Sequence, residues 1–193
     1  MLGRFREEYE KRMMPLGRAL AALGISPNLM TFISLLISIL CMFTLWRGDL
    51  MLSTMLLLLV GFTDMLDGSI ARALGKTSRF GGVLDHVVDR YAEFFIMMGL
   101  GIGNIVRWEW IIFSLFGMIM ASYTRAKAES IGGLRSCTVG IAERQEKLLL
   151  LMIGLLLHHY GLVDLNHVVI LIGVLSHITV LQRLEYTRRH TTT

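Results

Sequence analysis

The sequence has 193 residues, of which 54% are hydrophobic and 18% charged, with 13 Met and only 2 Pro, and a mean hydropathy of +0.60. That balance excludes an ordinary soluble domain and describes a chain whose solvent is largely lipid. The formal net charge of +4 is grouped in a few connections, which suits anionic headgroups or phosphorylated ligands and makes nucleic acid a poor partner.

The N-terminal stretch mixes Arg4, Arg6, Glu7, Glu8, Glu10, Lys11 and Arg12 with Leu2, Phe5, Tyr9, Met13, Met14, Leu16, Leu20 and Leu23. It lacks the short apolar region of a cleaved signal and predicts an amphipathic helix over about 1–25, lying in the membrane interface and broken or kinked at Pro15. Ser26-Pro27-Asn28 then gives a turn and a restart, with Pro27 at an early helical position where its missing N–H costs little.

Asn28 to Trp46 is an uncharged run of the roughly 20 residues needed to cross a hydrocarbon core of about 30 Å. Five further apolar stretches follow: Met51 to about Ala73, Val83 to Val106, Trp108 to about Ala126, Leu148 to Val163, and Leu165 to about Arg183. The prediction is an all-α integral membrane protein, one domain over 1–193, with six transmembrane helices bundled within 26–185 behind the interfacial helix. Basic residues collect in the N-terminal segment, around Arg72, Lys76 and Arg79, between Arg125 and Lys147, and in the tail at Arg183, Arg188 and Arg189. Those connections are expected in the cytoplasm, which places both termini and the site below on that side of the cell membrane. Cys41 and Cys137 are isolated, so no disulfide framework or zinc site is implied.

Asp64, Asp67, Asp85 and Asp89 fall where the second and third spans approach the cytoplasmic side. Carboxylates at such depth cost several kcal/mol each and belong only where they pair, face water or bind metal. At about 100° per residue, Asp64, Asp67, Gly68 and Ala71 share one face of a helix, while Gly81, Asp85 and Asp89 form a stripe on the next. Two facing helices would bring the four acids together, and hard oxygen donors in that number suit Mg²⁺ or Mn²⁺. Gly68 and Ala71 leave room for a bulky ligand against the backbone, and Arg72 is placed to hold a phosphate. Salt bridges to Arg72, Arg79 and Arg90 would explain the acids alone, but not the small residues between them.

The arrangement Asp64-x-x-Asp67-Gly68-x-x-Ala71-Arg72, then Gly81-x-x-x-Asp85-x-x-x-Asp89, resembles the signature of the CDP-alcohol phosphotransferase family at every fixed position. Eight residues at ordinary background frequencies would coincide about once in 10¹⁰ starting points. The resemblance implies two divalent ions between the aspartates, with Asp64 and Asp85 bridging both, Asp67 ligating one, and Asp89 touching the other while serving as catalytic base. It further implies donor contacts at Gly68, Ala71, Arg72, Ser78 and Gly81, and a segment Pro27-Asn28-Leu29-Met30 closing over the nucleotide. The family is usually dimeric, so a homodimer is expected.

The stretches Ser122 to Glu129, Ile141 to Leu148 and Leu181 to Leu184 are similar to the branch that makes phosphatidylinositol phosphate or archaetidylinositol phosphate. In that branch basic side chains grip the phosphate of inositol phosphate. The corresponding positions are Arg125, Arg144 and Arg183, with Lys127 sharing the role of Arg125. The expected reaction transfers a phosphatidyl-type group from a CDP-activated lipid to a phosphorylated polyol, inositol phosphate first, and releases CMP. Glycerol phosphate as acceptor and a soluble CDP-polyol as donor are the enzyme alternatives. A cation or proton transporter would also place carboxylates in a bundle, but has no use for Gly68, Ala71 and Arg72.

Overall fold

The computed structural model describes residues 13–75 and 78–191, and among these all regular structure is helical. Helix α1 covers 13–22, followed by α2 (Pro27–Trp46), α3 (Leu50–Ala73), α4 (Arg79–Ile102), α5 (Trp108–Ser130), α6 (Arg144–His159) and α7 (Leu165–Thr191). Leu2, Phe5, Tyr9 and the other predicted interfacial residues up to 12, together with Lys76, lie outside the described residues. Pro15 sits within the helical stretch 13–22.

Helix boundaries follow local chemistry. The Ser26 hydroxyl accepts from Leu29 N at 3.2 Å and caps α2, which places Pro27 at its first position. Gly48 and Gly75 end the turns after α2 and α3 with φ of 76° and 60°, a left-handed conformation that a Cβ disfavours. Helix α4 begins at Arg79, a turn before the expected Val83, because Ser78 Oγ accepts from Gly81 N at 2.8 Å. Helix α6 begins at Arg144 rather than Leu148, since Glu143 and Glu146 form a reciprocal capping box. Helix α7 continues past Arg183 to Thr191, supported by Glu185 paired with Arg188 and Arg189 at 2.8 and 2.7 Å.

The chain forms two compact units, one from residues up to Cys41 with Met55–Ile96, the other from Met42–Thr54 with Met97 onward. In the first, Met13, Met30, Leu66 and Ile70 make a buried cluster joined by Leu20, Ala21, Ile25 and Ile33. Helix α1 crosses α3 closely enough that a Cβ on Gly17 would stand 2.8 Å from the Ser69 backbone. In the second, α5 packs on α7 through small residues: Ser114 Oγ donates to Val169 O at 2.6 Å, and a Cβ on Gly173 would meet that hydroxyl at 2.6 Å.

The surface carries large apolar side chains that a soluble protein would keep inside. Phe32, Leu36, Leu40 and Phe43 are exposed along α2, whereas Ser34, Ser38, Ser53, Ser114, Ser176 and Thr179 are buried. Ser38, Ser53, Ser176 and Thr179 return bonds to carbonyls one turn back, such as Ser38 to Ser34 at 2.8 Å and Thr179 to Leu175 at 2.8 Å. Such a surface is stable in lipid, and the chain is a multi-pass membrane protein. Helices α2, α3 and α7 are long and apolar enough to cross a bilayer. Helices α4 and α5 are as long but carry Asp85, Asp89, Arg90 and Glu93, or Arg125, Lys127 and Glu129, while α6 has 16 residues, about 24 Å of helix.

Candidate active site

All four aspartates lie in the first unit, Asp64 and Asp67 on α3, Asp85 and Asp89 on α4. Asp67 and Asp89 are each only 9% exposed. Carboxylate oxygens of Asp64, Asp67 and Asp85 lie within 4.8 Å of one another, and a second group of the same compactness joins Asp85, His86 and Asp89. Asp85 is therefore common to both groups. Carboxylates held this close repel unless cations share them, so the arrangement is suited to a divalent cation.

A Cβ on Gly81 would stand 2.8 Å from Ser78 Oγ and 3.2 Å from Asn28 Oδ1, so α2, the turn before α4 and α4 itself converge there. Three of the expected nucleotide residues, Asn28, Ser78 and Gly81, are thus gathered in one place. Arg72 folds back over Gly68, its Nη1 lying 3.3 Å from where a Cβ would be, and Nη2 reaches Ser69 Oγ at 3.5 Å. Ala71 is half-buried on the same helix. Within Pro27 to Met30 the side chains diverge: Leu29 is exposed, and Met30 is buried in the cluster with Leu66 and Ile70.

Two residues at this site escaped the sequence reading. Thr31, on the buried face of α2 one turn after Pro27, donates to Asp67 Oδ2 at 3.2 Å. His86 sits beside Asp85, with Nδ1 3.8 Å from Asp85 Oδ2. The spacing of His86 and Asp89, three apart on a helix, is the signal that could have found it.

The candidate acceptor residues belong to the second unit. Arg125 donates through Nε to Glu129 Oε1 at 3.0 Å, and the same oxygen accepts from Cys137 N at 2.9 Å. Arg183, 6% exposed, donates through Nε to Val139 O at 2.9 Å and through Nη1 to Ala121 O at 2.6 Å. Together with Ile141 N donating to Gln182 Oε1 at 2.9 Å, these bonds lace the connection before α6 to α5 and α7. Arg144 opens α6 and is half-buried. Lys127 lies 5.5 Å over the Tyr123 ring.

The sequence pattern of the CDP-alcohol phosphatidyltransferases matches residues 24–180. The chain is 37% identical over 183 residues to an archaetidylinositol phosphate synthase of Pyrococcus horikoshii, covering 95% of this chain and 94% of that one. It is 32% identical over 211 residues to a phosphatidylinositol phosphate synthase of Cutibacterium acnes, with 98% of both covered. Its fold is similar to the Mycobacterium tuberculosis phosphatidylinositol phosphate synthase crystallised with CDP-DAG bound, with a TM-score of 0.79 at 27% identity over 91% of this chain and 92% of that one. The same enzyme in complex with manganese and citrate also gives 0.79, at 28% identity over 91% and 88%. With the signature aspartates assembled and the pattern covering most of its length, this chain belongs to the CDP-alcohol phosphatidyltransferase family, and it is a transferase.

Proposed function

We propose that this protein transfers a phosphatidyl-type group from a CDP-activated lipid, CDP-diacylglycerol or its archaeal ether analogue, to a hydroxyl of inositol phosphate, releasing CMP. The observation that carries the reaction is the two side-chain clusters, Asp64–Asp67–Asp85 and Asp85–His86–Asp89, that share Asp85. The acceptor and donor classes are supported by the names of the relatives and by the CDP-DAG-bound neighbour.

The signature donor set is all carboxylate oxygen, which fits Mg²⁺ or Mn²⁺, and the manganese-bound neighbour agrees. Asp64, Asp67 and Asp85 would hold one ion, and Asp64, Asp85 and Asp89 a second. Bound there, divalent ions neutralise pyrophosphate charge and stabilise departing CMP. Asn28, Ser78 and Gly81 receive the nucleotide, with Pro27, Leu29 and Met30 shaping that end of α2. Once Arg72 swings from over Gly68 to pair with the donor phosphate, Gly68 and Ala71 give the donor access to the α3 backbone. Asp89 takes the proton as the acceptor oxygen attacks the lipid-bearing phosphorus, and the bond from that phosphorus to the CMP oxygen breaks. Arg125, Lys127, Arg144 and Arg183 supply the positive charge for the acceptor phosphate.

The membrane arrangement in this reading has α2 to α7 as six spans behind an interfacial α1, both termini and the site cytoplasmic, and two copies forming a homodimer. The apolar surface and the grouping of basic residues support the spans and their orientation, and the homodimer follows the family resemblance.

Purified protein supplied with each CDP donor and acceptor, with Mg²⁺ or Mn²⁺, tests the proposal by CMP release. Inositol phosphate should give product. Product from glycerol phosphate alone, or from a soluble CDP-polyol alone, overturns the substrate assignment, and ion flux without CMP overturns the reaction.

A further inference from the structure

We propose that His86 supplies an imidazole nitrogen to the divalent-ion position formed by Asp85 and Asp89, biasing this protein toward Mn²⁺ over Mg²⁺. The inference rests on the reading of the aspartates as metal ligands and adds a donor of different chemistry to it.

Along α4, at about 100° per residue, Asp89 falls about 40° round from Asp85, and His86 about 100° round, so the middle of the three is Asp89. His86 and Asp89 are neighbours by the three-residue spacing, Asp85 and Asp89 by the four-residue spacing. Donor atoms of all three lie within 4.8 Å of one another. Two ligands on one octahedral ion with bonds near 2.1 Å stand about 3 Å apart when adjacent and about 4.2 Å apart when opposite. The 3.8 Å from His86 Nδ1 to Asp85 Oδ2 already falls inside that range. The imidazole is 71% exposed, so it can turn toward an ion without displacing the core.

The chemical consequence concerns selection. Carboxylate oxygens serve Mg²⁺ and Mn²⁺ alike, and an imidazole nitrogen adds more to Mn²⁺, at the foot of the first-row series, than to the harder Mg²⁺. An exposed histidine beside two carboxylates could otherwise be only their charge partner, and a direct bond to the ion separates the two roles.

The test uses the full chain without a polyhistidine tag, purified in detergent and loaded with Mn²⁺, read by pulsed electron paramagnetic resonance. Nitrogen-14 modulation from one imidazole is expected, lost in both His86→Ala and His86→Gln. Mn²⁺ affinity should fall at least about tenfold in these variants, with Mg²⁺ affinity falling less. Bound Mn²⁺ without nitrogen coupling, or coupling that survives both substitutions, overturns the role of His86 and leaves the aspartate reading standing. Mn²⁺ affinity unmoved by Asp85→Ala overturns the aspartate reading, and this inference with it.

Discussion

The Thr31 hydroxyl donates to Asp67 Oδ2 across 3.2 Å, joining α2 to α3 where the two residues are 4% and 9% exposed. The same hydroxyl lies 3.2 Å from Pro27 O, so its single proton has a second acceptor one turn back. Asp67 is thereby aimed by a residue at the start of the helix that also carries Asn28. The Thr31 contact thus links the carboxylate cluster to the end of α2 that faces Gly81.

Replacing Thr31 by Val keeps the β-branched shape and removes the donor. The metal concentration needed for half-maximal CMP release should rise about tenfold, and Thr31→Ser should restore most of it. An unchanged metal titration in Thr31→Val would show that the hydroxyl serves only its own helix.

Asp89→Asn keeps the size of the side chain and removes its basicity. Turnover should fall by about 10² to 10⁴, while binding of the CDP-lipid, measured by calorimetry in detergent, should survive at least in part. Loss of donor binding equal to the loss of turnover would make Asp89 a ligand alone.

Gly81→Ala tests the convergence of α2 and α4. Its methyl would stand 2.8 Å from Ser78 Oγ, the oxygen that caps α4, and 3.2 Å from Asn28 Oδ1. A donor KM raised severalfold, with acceptor KM unchanged, is the expected kinetic result. Gly82→Ala, where a Cβ meets nothing within 4 Å, is the control and should behave as wild type.

The helices were legible as long apolar runs and the four acids by their helical spacing. Uncharged runs mark spans, and the spacings of Asp64 with Asp67 and of Asp85 with Asp89 place each pair on one helix face. The starts of α4 and α6 were missed by a turn because single side chains, Ser78 and Glu146, set them rather than hydropathy. Thr31 and His86 were missed for another reason. Nothing in local sequence distinguishes a threonine bonded to its own helix from one bonded to an aspartate 36 residues away, whereas His86 shares the helical spacing of Asp89 but lies outside the stripe of Gly81, Asp85 and Asp89. Arg183 was read for its charge, and the carbonyls of Ala121 and Val139 that it holds are invisible to any sequence pattern.

Arg183 carries the last prediction, because its two bonds to main-chain carbonyls and its proposed hold on the acceptor phosphate make different demands. Arg183→Ala leaves two carbonyls without a charged donor, bonds worth roughly 1.5–3 kcal/mol each, so the midpoint of thermal unfolding in detergent should drop. Arg183→Lys keeps the charge but cannot reproduce a planar fork reaching Val139 O and Ala121 O together, so it should not recover wild-type stability. If the side chain also holds the acceptor, Arg183→Ala should raise acceptor KM well beyond donor KM, as should Arg144→Ala, and Arg183→Lys should recover part of the acceptor affinity through charge alone. Equal rises for both substrates, with no recovery in Arg183→Lys, would assign Arg183 to holding the connection before α6. The acceptor phosphate would then fall to Arg125, Lys127 and Arg144.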